Sequence, residues 1–410
     1  MAISFRFIGL TTAILFLTSC TGNTAKSTTP AVVKNDSTAT VKPATAKTDA
    51  TVKTDNHNKL NDIALYLAGM KPDSFVAIPE KLQKLHYYQL YCDSMNHGFN
   101  HIEATRLSKM REWAKTELAP ELAAPKTVLY PFSGPDILHC VQFFPDAEQY
   151  VMIALERYGS LPVMEKMDSA RTIHTVATIQ KSLEDIFGKS YFITSKMVHD
   201  ISNQWNGFTP VASVFLVRAG YSILDIKYKH LQDDGKTMVE IPLDSMGKHT
   251  NDCVEIYFRK KGGDKVQKLT YFKANLGDEP YQGMTGMKDN KGLQGFLSNL
   301  PECYTYAKSA SYLMCQKDFN IIRNACISKS KTVLQDDTGI AFGFMDPKVW
   351  KIKLYGSYVK PISDFKGGYY QANLEKAYKA DTAHIGHLPF SLGYHWRDQH
   401  TQNLMKFERK

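Results

Sequence analysis

The first twenty residues constrain this chain most, because they decide in which compartment the rest of it folds. Arg6 is followed by an apolar run from Phe7 to Leu17, and small residues come directly after that run. A helix needs roughly 20 apolar residues to cross a hydrocarbon core about 30 Å thick, so this run is too short for a permanent membrane span. A basic start, a short apolar segment and small residues at its end are typical of a cleaved secretory signal.

The segment Leu17-Thr18-Ser19-Cys20 resembles the lipobox of bacterial lipoproteins, in which the signal peptidase cuts just before the cysteine. The resemblance implies that residues 1–19 are a signal peptide and that lipid on Cys20 holds the protein to a membrane of the cell envelope. Anchoring by more than one acyl chain is stable, since each buried methylene contributes about 0.8 kcal/mol. An ordinary cleaved signal with a chance cysteine is the alternative. Thr21 is not the Asp that resembles an inner-membrane retention signal, so the outer membrane is favoured.

Residues 20–58 consist mainly of Thr, Ala, Ser, Lys and Asp, with almost no large apolar side chains. Such a composition buries too little surface to offset the entropy of ordering. We therefore expect a disordered tether between the lipid and the folded body.

The composition of the body is that of a globular protein. The chain is 43% hydrophobic, and its net charge of +9 includes no dense block of Lys and Arg, so a nucleic-acid partner is not expected. No C-x-x-C pair is present, which gives no support to thiol redox chemistry or a zinc finger. Disulfides and free buried thiols both remain open for the six cysteines of the body. They are Cys92, Cys140, Cys253, Cys303, Cys315 and Cys326.

The hydrophobic pattern predicts an α+β fold with three parts. A helical hairpin occupies residues 59–120, with its break at Gly98, and a mixed helix and sheet body follows as two α/β lobes, 121–250 and 251–410. The second lobe contains a β-hairpin. Leu-Gln-Asp-Asp-Gly at 231–235 recurs as Leu-Gln-Asp-Asp-Thr-Gly at 334–339, which indicates either two related lobes or simply good turn chemistry.

Runs of β-branched and aromatic residues predict strands, and helical spacing of apolar residues predicts helices. The strands are expected at 128–132, 137–144, 150–155, 221–228, 253–259, 266–273, 350–358 and 391–396. The helices are expected at 170–187, 210–219 and 319–328.

Ser133, Asp136 and His139 form the most suggestive polar group in the sequence. They lie in and after a turn bracketed by Pro131 and Pro135, where a hydroxyl, a carboxylate and an imidazole meet near one rim. A working catalytic triad is assembled across a fold, so the alternative is a rigid turn with His139 packed on a strand. The catalytic hypothesis requires the three side chains to converge with a polar partner from a distant segment.

Two further groups are candidates for binding. Asp336 precedes Asp337-Thr338-Gly339, which is the Asp-Thr-Gly triplet of aspartic proteases, but a second matching carboxylate is missing. Trp350 and Trp396 belong to an aromatic-rich C-terminal stretch that suits stacking on a small molecule or a glycan, although aromatic residues in strands are more often core. No motif indicates a cofactor or a metal site.

The sequence therefore favours a lipid-anchored envelope protein that binds a ligand or has a structural role. A hydrolase with a site around Ser133, Asp136 and His139 is the alternative. No feature of the sequence fixes the oligomeric state.

Cys20→Ala should abolish lipid attachment and release the protein from the membrane fraction. Mass spectrometry of the mature N-terminus checks this directly, because the native protein should begin at a lipidated Cys20. An unmodified N-terminal peptide, or cleavage at another position, would contradict the anchor.

Overall fold

The computed structural model describes residues 54–119, 127–189, 207–359, 361–362, 369–380, 382–396 and 400–410. Cys20, the signal peptide and most of the predicted tether lie outside these residues. The last residues of the predicted tether are an exception, because the first helix begins at Thr54. Within the described part of the chain, no helix combines the length and apolarity that a membrane span requires.

One mixed sheet organises the part of the chain that the structure describes. Its strand order is β4-β3-β5-β6-β2-β1-β7-β8-β10-β9. The five central strands, from β6 to β8, run parallel to one another, and the strands at both ends are antiparallel. The strands are β1 (Thr127–Pro131), β2 (Gln149–Ala154), β3 (Tyr221–Leu231), β4 (Met238–Glu240), β5 (Asp252–Lys260), β6 (Val266–Lys273), β7 (Cys303–Ala307), β8 (Ser330–Gln335), β9 (Trp350–Gly356) and β10 (Asn403–Arg409).

Helices cover both faces of the sheet and bury two hydrophobic clusters against it. Helices α1 to α7 pack on one face, which we call the first face, and α8 to α10 pack on the second face. The helices are α1 (Thr54–Leu67), α2 (Glu80–Gln83), α3 (His86–Ile102), α4 (Ser108–Glu117), α5 (Ile137–Phe143), α6 (Ser169–Lys189), α7 (Phe208–Arg218), α8 (Lys291–Asn299), α9 (Asn320–Lys329) and α10 (Ala372–Ala380).

The two predicted lobes share this sheet. Strand β3 from the first predicted lobe pairs with β5 from the second, and residues 51–410 form one compact unit. The repeated Leu-Gln-Asp-Asp segments also lie in different surroundings. The first copy joins the antiparallel strands β3 and β4, whereas the second follows β8, which is parallel to β7. Such different topologies argue against a duplicated unit.

The helix break predicted at Gly98 is wrong. Helix α3 continues through Gly98, and the chain then passes through a π-helical turn, Glu103–Leu107, directly into α4. A β-carbon at Gly98 would lie 2.7 Å from the ring of Phe187. Glycine is present there because α3 and α6 pack closely. A glycine in a sequence pattern can indicate either close packing or a helix end, and the pattern alone does not distinguish the two.

Two predicted strands are also wrong. Residues 137–144 contain helix α5, which Asp136 caps by accepting a hydrogen bond from the backbone N–H of His139. Every residue of α5 is buried, so no amphipathic period marks it as a helix. Residues 391–396 contain a 3-10 turn, Gly393–His395, in place of a strand. Of the two alternatives left open for the six cysteines of the body, disulfides or free thiols, the structure has free thiols.

Gly235→Ala should lower the free energy of unfolding more than Gly262→Ala does. Both glycines have positive φ, 66° and 79°, and a left-handed conformation costs other residues about 1–2 kcal/mol. A β-carbon at Gly235 would also lie 2.4 Å from the backbone of Gly295, whereas Gly262 has open space around it. Overpacking therefore adds about 1–3 kcal/mol at Gly235. Denaturant titration of both variants checks the difference, and equal losses would contradict it.

Candidate active site

The order of the central strands creates a topological switch point between β1 and β7. From β1 the chain passes through α5 on the first face to β2, and from β7 it passes through α9 on the second face to β8. Because β1 and β7 are neighbours, the two connections leave in opposite directions from adjacent strands. In open α/β sheets, ligands bind in the crevice outside the carboxyl ends of strands at such a switch point.

Asp136 lies at this switch point, in the loop between β1 and α5. Its carboxylate caps α5, and it also bonds the His139 ring, with 2.8 Å between Asp136 Oδ1 and His139 Nδ1. The phenol of Tyr130, on β1, donates to Asp136 Oδ2 across 3.3 Å. Asp136 is 2% exposed, so its charge is almost completely withdrawn from water.

Lys308, directly after β7, supplies the matching charge. Its Nζ lies 2.7 Å from Asp136 Oδ2 and 3.5 Å from His139 Nδ1. Burial raises the pKa of Asp136, but the interactions with His139 and Lys308 outweigh burial and lower that pKa to about 2. Asp136 is therefore ionised at neutral pH, and the Lys308 ammonium compensates its charge.

His139 is held neutral, with one nitrogen available. Burial lowers its pKa to about 4, although the neighbouring Asp136 carboxylate opposes that shift. The Nδ1–H donates to Asp136, so Nε2 carries the lone pair, and this atom has no hydrogen-bond partner within the part of the chain that the structure describes. A carboxylate that fixes the tautomer and orientation of an imidazole is the arrangement that prepares histidine to act as a base.

A second carboxylate, Asp336, lies at the end of β8 next to the same group of side chains. Its Oδ1 accepts hydrogen bonds from the backbone and hydroxyl of Thr338. Burial and the charge of Asp337 raise the pKa of Asp336 to about 7. Burial raises the pKa values of Tyr130 and Tyr306, and the charges of both Asp136 and Asp336 raise them further, which places the two carboxylates near the same phenols.

Ser309 follows Lys308 in an unusual backbone conformation. Its φ is 58°, which is uncommon for a residue other than glycine, and its backbone N–H donates to Thr338 Oγ1 across 2.5 Å. A β-carbon on Gly393 would lie 2.3 Å from Asp336 Oδ2 and 3.7 Å from Ser309 Oγ, so both oxygens face the backbone of Gly393. Strained residues at the end of a strand cluster at functional sites.

Several polar atoms of this group are buried and have no hydrogen-bond partner among the residues that the structure describes. They are Ser133 Oγ, His139 Nε2, Tyr306 OH, Ser309 Oγ and Asp336 Oδ2. Buried polar atoms are nearly always paired in folded proteins, so such a concentration calls for an explanation. A ligand or substrate that bonds some of these atoms provides one.

The structure brings together some of the predicted site residues and separates others. Asp136 and His139 converge with Lys308, a partner 169 residues from His139, as the catalytic hypothesis requires. Ser133 lies at the same turn, but its hydroxyl makes no bond to His139, so the three predicted residues do not form a relay. The expectation that His139 packs on a strand is wrong, because it belongs to α5.

The other predicted binding residues have different roles. Asp337 bonds His395, with 3.0 Å between Asp337 Oδ1 and His395 Nε2, and His395 Nδ1 bonds Thr401, so both ring nitrogens are engaged. Trp350 is 2% exposed and lies under the guanidinium of Arg409, so the stacking surface predicted for it is a core contact. Trp396 is half-buried.

Sequence reasoning missed Lys308, Ser309 and Arg106. The sequence analysis predicted no strand at β7. The alternation of Tyr304 and Tyr306 indicates a strand, and the lysine directly after it indicates a charged side chain at the end of that strand. Burial lowers the pKa of Arg106 to about 10, and the nearby charges of Asp136 and Tyr306 oppose that shift. The π-helical turn places it there, and such turns are frequent at functional sites.

Comparison with known proteins does not indicate a function, so a functional assignment depends on the geometry of the site. No protein-family model matches this sequence, and no curated protein is significantly similar to it. Among the residues that the structure describes, no group of three or more His, Cys, Asp or Glu side chains is placed to hold a metal ion.

Lys308→Met should destabilise the protein by about 3–5 kcal/mol, because it leaves the Asp136 carboxylate buried without its cation. Lys260→Met is the matched control. Lys260 also lies 2.7 Å from a carboxylate, that of Asp146, but the two side chains are 48% and 52% exposed. An exposed pair contributes only about 0–1 kcal/mol. Thermal or denaturant unfolding measures both variants, and similar losses would show that Lys308 does not neutralise a buried charge.

Proposed function

We propose that this protein is attached to the outer membrane by lipid on Cys20 and that its folded body is a hydrolase. The single observation that carries the catalytic part is the buried Asp136–His139 pair at the switch point, in which Nε2 of the imidazole has no hydrogen-bond partner among the described residues. The anchoring part rests on the N-terminal sequence alone.

In this proposal, His139 acts as the general base. Its Nε2 takes a proton from a water molecule whose oxygen bonds the carbonyl carbon of an ester substrate, and Asp136 stabilises the imidazolium that forms. The imidazolium then gives this proton to the leaving alcohol as the ester C–O bond breaks. Lys308 keeps Asp136 ionised and is therefore a positioning residue. Ser309, the residue after Lys308, is half-buried, whereas His139 is fully buried.

His139→Gln should lower kcat/KM for hydrolysis of p-nitrophenyl acetate by about 10²–10⁴-fold, the usual contribution of general base catalysis. The pH profile of kcat/KM for the native protein provides a second measurement. Activity should rise as the pH increases through about 4, because His139 must lose its proton to act as a base.

His395→Gln is the matched control for this experiment. His395 also pairs with a buried aspartate, but both of its ring nitrogens are bonded, so it offers no free base. We expect this variant to keep kcat/KM within a few-fold of the native value while both variants lose stability. Equal loss of activity in the two variants would show that folding, and not base catalysis, explains the effect.

A second candidate function, ligand binding without turnover, is supported by the complete burial of His139, which is 0% exposed. An enclosed group of unpartnered polar atoms suits the retention of a small polar molecule. Hydrolysis of p-nitrophenyl acetate that persists unchanged in His139→Gln would favour this candidate over the hydrolase.

A further inference from the structure

A separate apolar cavity opens at the carboxyl ends of β1, β2 and β6. Its volume is about 430 Å³, which lies within the roughly 300–1,000 Å³ typical of small-molecule sites. The side chains that form its apolar wall come from four segments of the chain. They are Phe132, Ala154, Ala274, Leu276, Leu313 and Phe319.

Phe132 helps to shape this cavity. Its φ of 56° is a strained conformation for an aromatic residue, and it comes directly after β1. Its ring packs against Phe319 with the ring centroids 5.7 Å apart. The ring of Phe132 lies on the cavity wall, and the next residue, Ser133, belongs to the polar group around Asp136. Backbone strain held in this way is characteristic of functional sites.

The polar residues that line the cavity make it suitable for a cation. Glu279 and Asp318 are carboxylates at the cavity, and Asn275 and Gln316 are amides there. Glu279 pairs with Lys288. Asp318 has no ion-pair partner among the residues that the structure describes. The Asn275 side chain is already engaged, because it donates to the Glu279 carbonyl and accepts from the Gly277 N–H.

From this combination we infer that the cavity binds a small molecule with an alkyl or aryl group that ends in an ammonium group. The apolar wall removes the hydrocarbon part from water, which is the main source of affinity. The Asp318 carboxylate favours a positive end over a neutral one and disfavours a carboxylate. This binding does not depend on the proposed hydrolysis, because neither Asp136 nor His139 lines the cavity.

Isothermal titration of the body with three six-carbon probes tests the inference. We expect n-hexylammonium to bind more tightly than 1-hexanol, and hexanoate to bind most weakly. A contact with a partly exposed carboxylate is worth about 0.2–1 kcal/mol, so the preference for ammonium over alcohol should be about 1.4- to 5-fold. Hexanoate binding as tightly as hexylammonium, or no binding of any probe at millimolar concentration, would overturn the inference.

Two variants locate the binding. Ala274→Leu adds bulk to the cavity wall and should weaken hexylammonium binding by tenfold or more. Asp318→Asn should remove the preference for hexylammonium over hexanol while leaving hexanol affinity unchanged. Because Asp318 is exposed, this second variant keeps the inference testable if Ala274→Leu fails to fold.

Thr175→Leu is the matched control for location. Thr175 lines another cavity of similar volume, about 420 Å³, together with Leu67 and Pro210. Hexylammonium affinity should be the same in this variant as in the native protein. Loss of binding in Thr175→Leu together with full binding in Ala274→Leu would assign the probe to the other cavity and refute the inference.

Discussion

The charge on Asp136 is the constraint on which the centre of this structure depends. One carboxylate caps helix α5, orients His139 and binds the ammonium of Lys308. It thereby joins the loop after β1 to the loop after β7, two segments far apart in the chain. A buried charge is costly unless it is paired and hydrogen-bonded, so each of these contacts is needed to retain the others.

The topology explains why these groups meet at one place. Crossovers between parallel strands are right-handed in nearly all proteins, so connections that step in opposite directions along a sheet must lie on opposite faces. Here α5 and α9 lie on opposite faces, so the two connections diverge at the carboxyl ends of β1 and β7. The polar group lies at these strand ends, and the apolar cavity lies at the ends of β1, β2 and β6.

Much of the secondary structure was predictable from the sequence, because most elements carry a local period or turn. The hairpin of β5 and β6 and helix α6 follow from such patterns. Helix α5 does not, since burial on all sides removes its period, and the capping role of Asp136 appears only once the helix is known. Gly98 was misinterpreted because close packing against Phe187 and a helix end both favour glycine.

The site was predictable only in part for a related reason. Asp136 and His139 are three residues apart, so one loop brings them together. Lys308 and Asp336 reach the same place through the order of the strands, which a single sequence does not encode locally. Their chemistry is visible in the sequence, but their proximity depends on β1, β7 and β8 being neighbours.

The position of β10 has a consequence for how this protein folds. Strand β10, residues 403–409, lies between β8 and β9 and pairs with both. Because β8 and β9 precede β10 in the chain, the two strands have no common neighbour until β10 has formed. Pairing between distant segments slows folding, because loops must close before the contacts compensate for the lost entropy. The edge of β8 therefore stays open until residue 409 has been synthesised, and completion of the sheet is a late step.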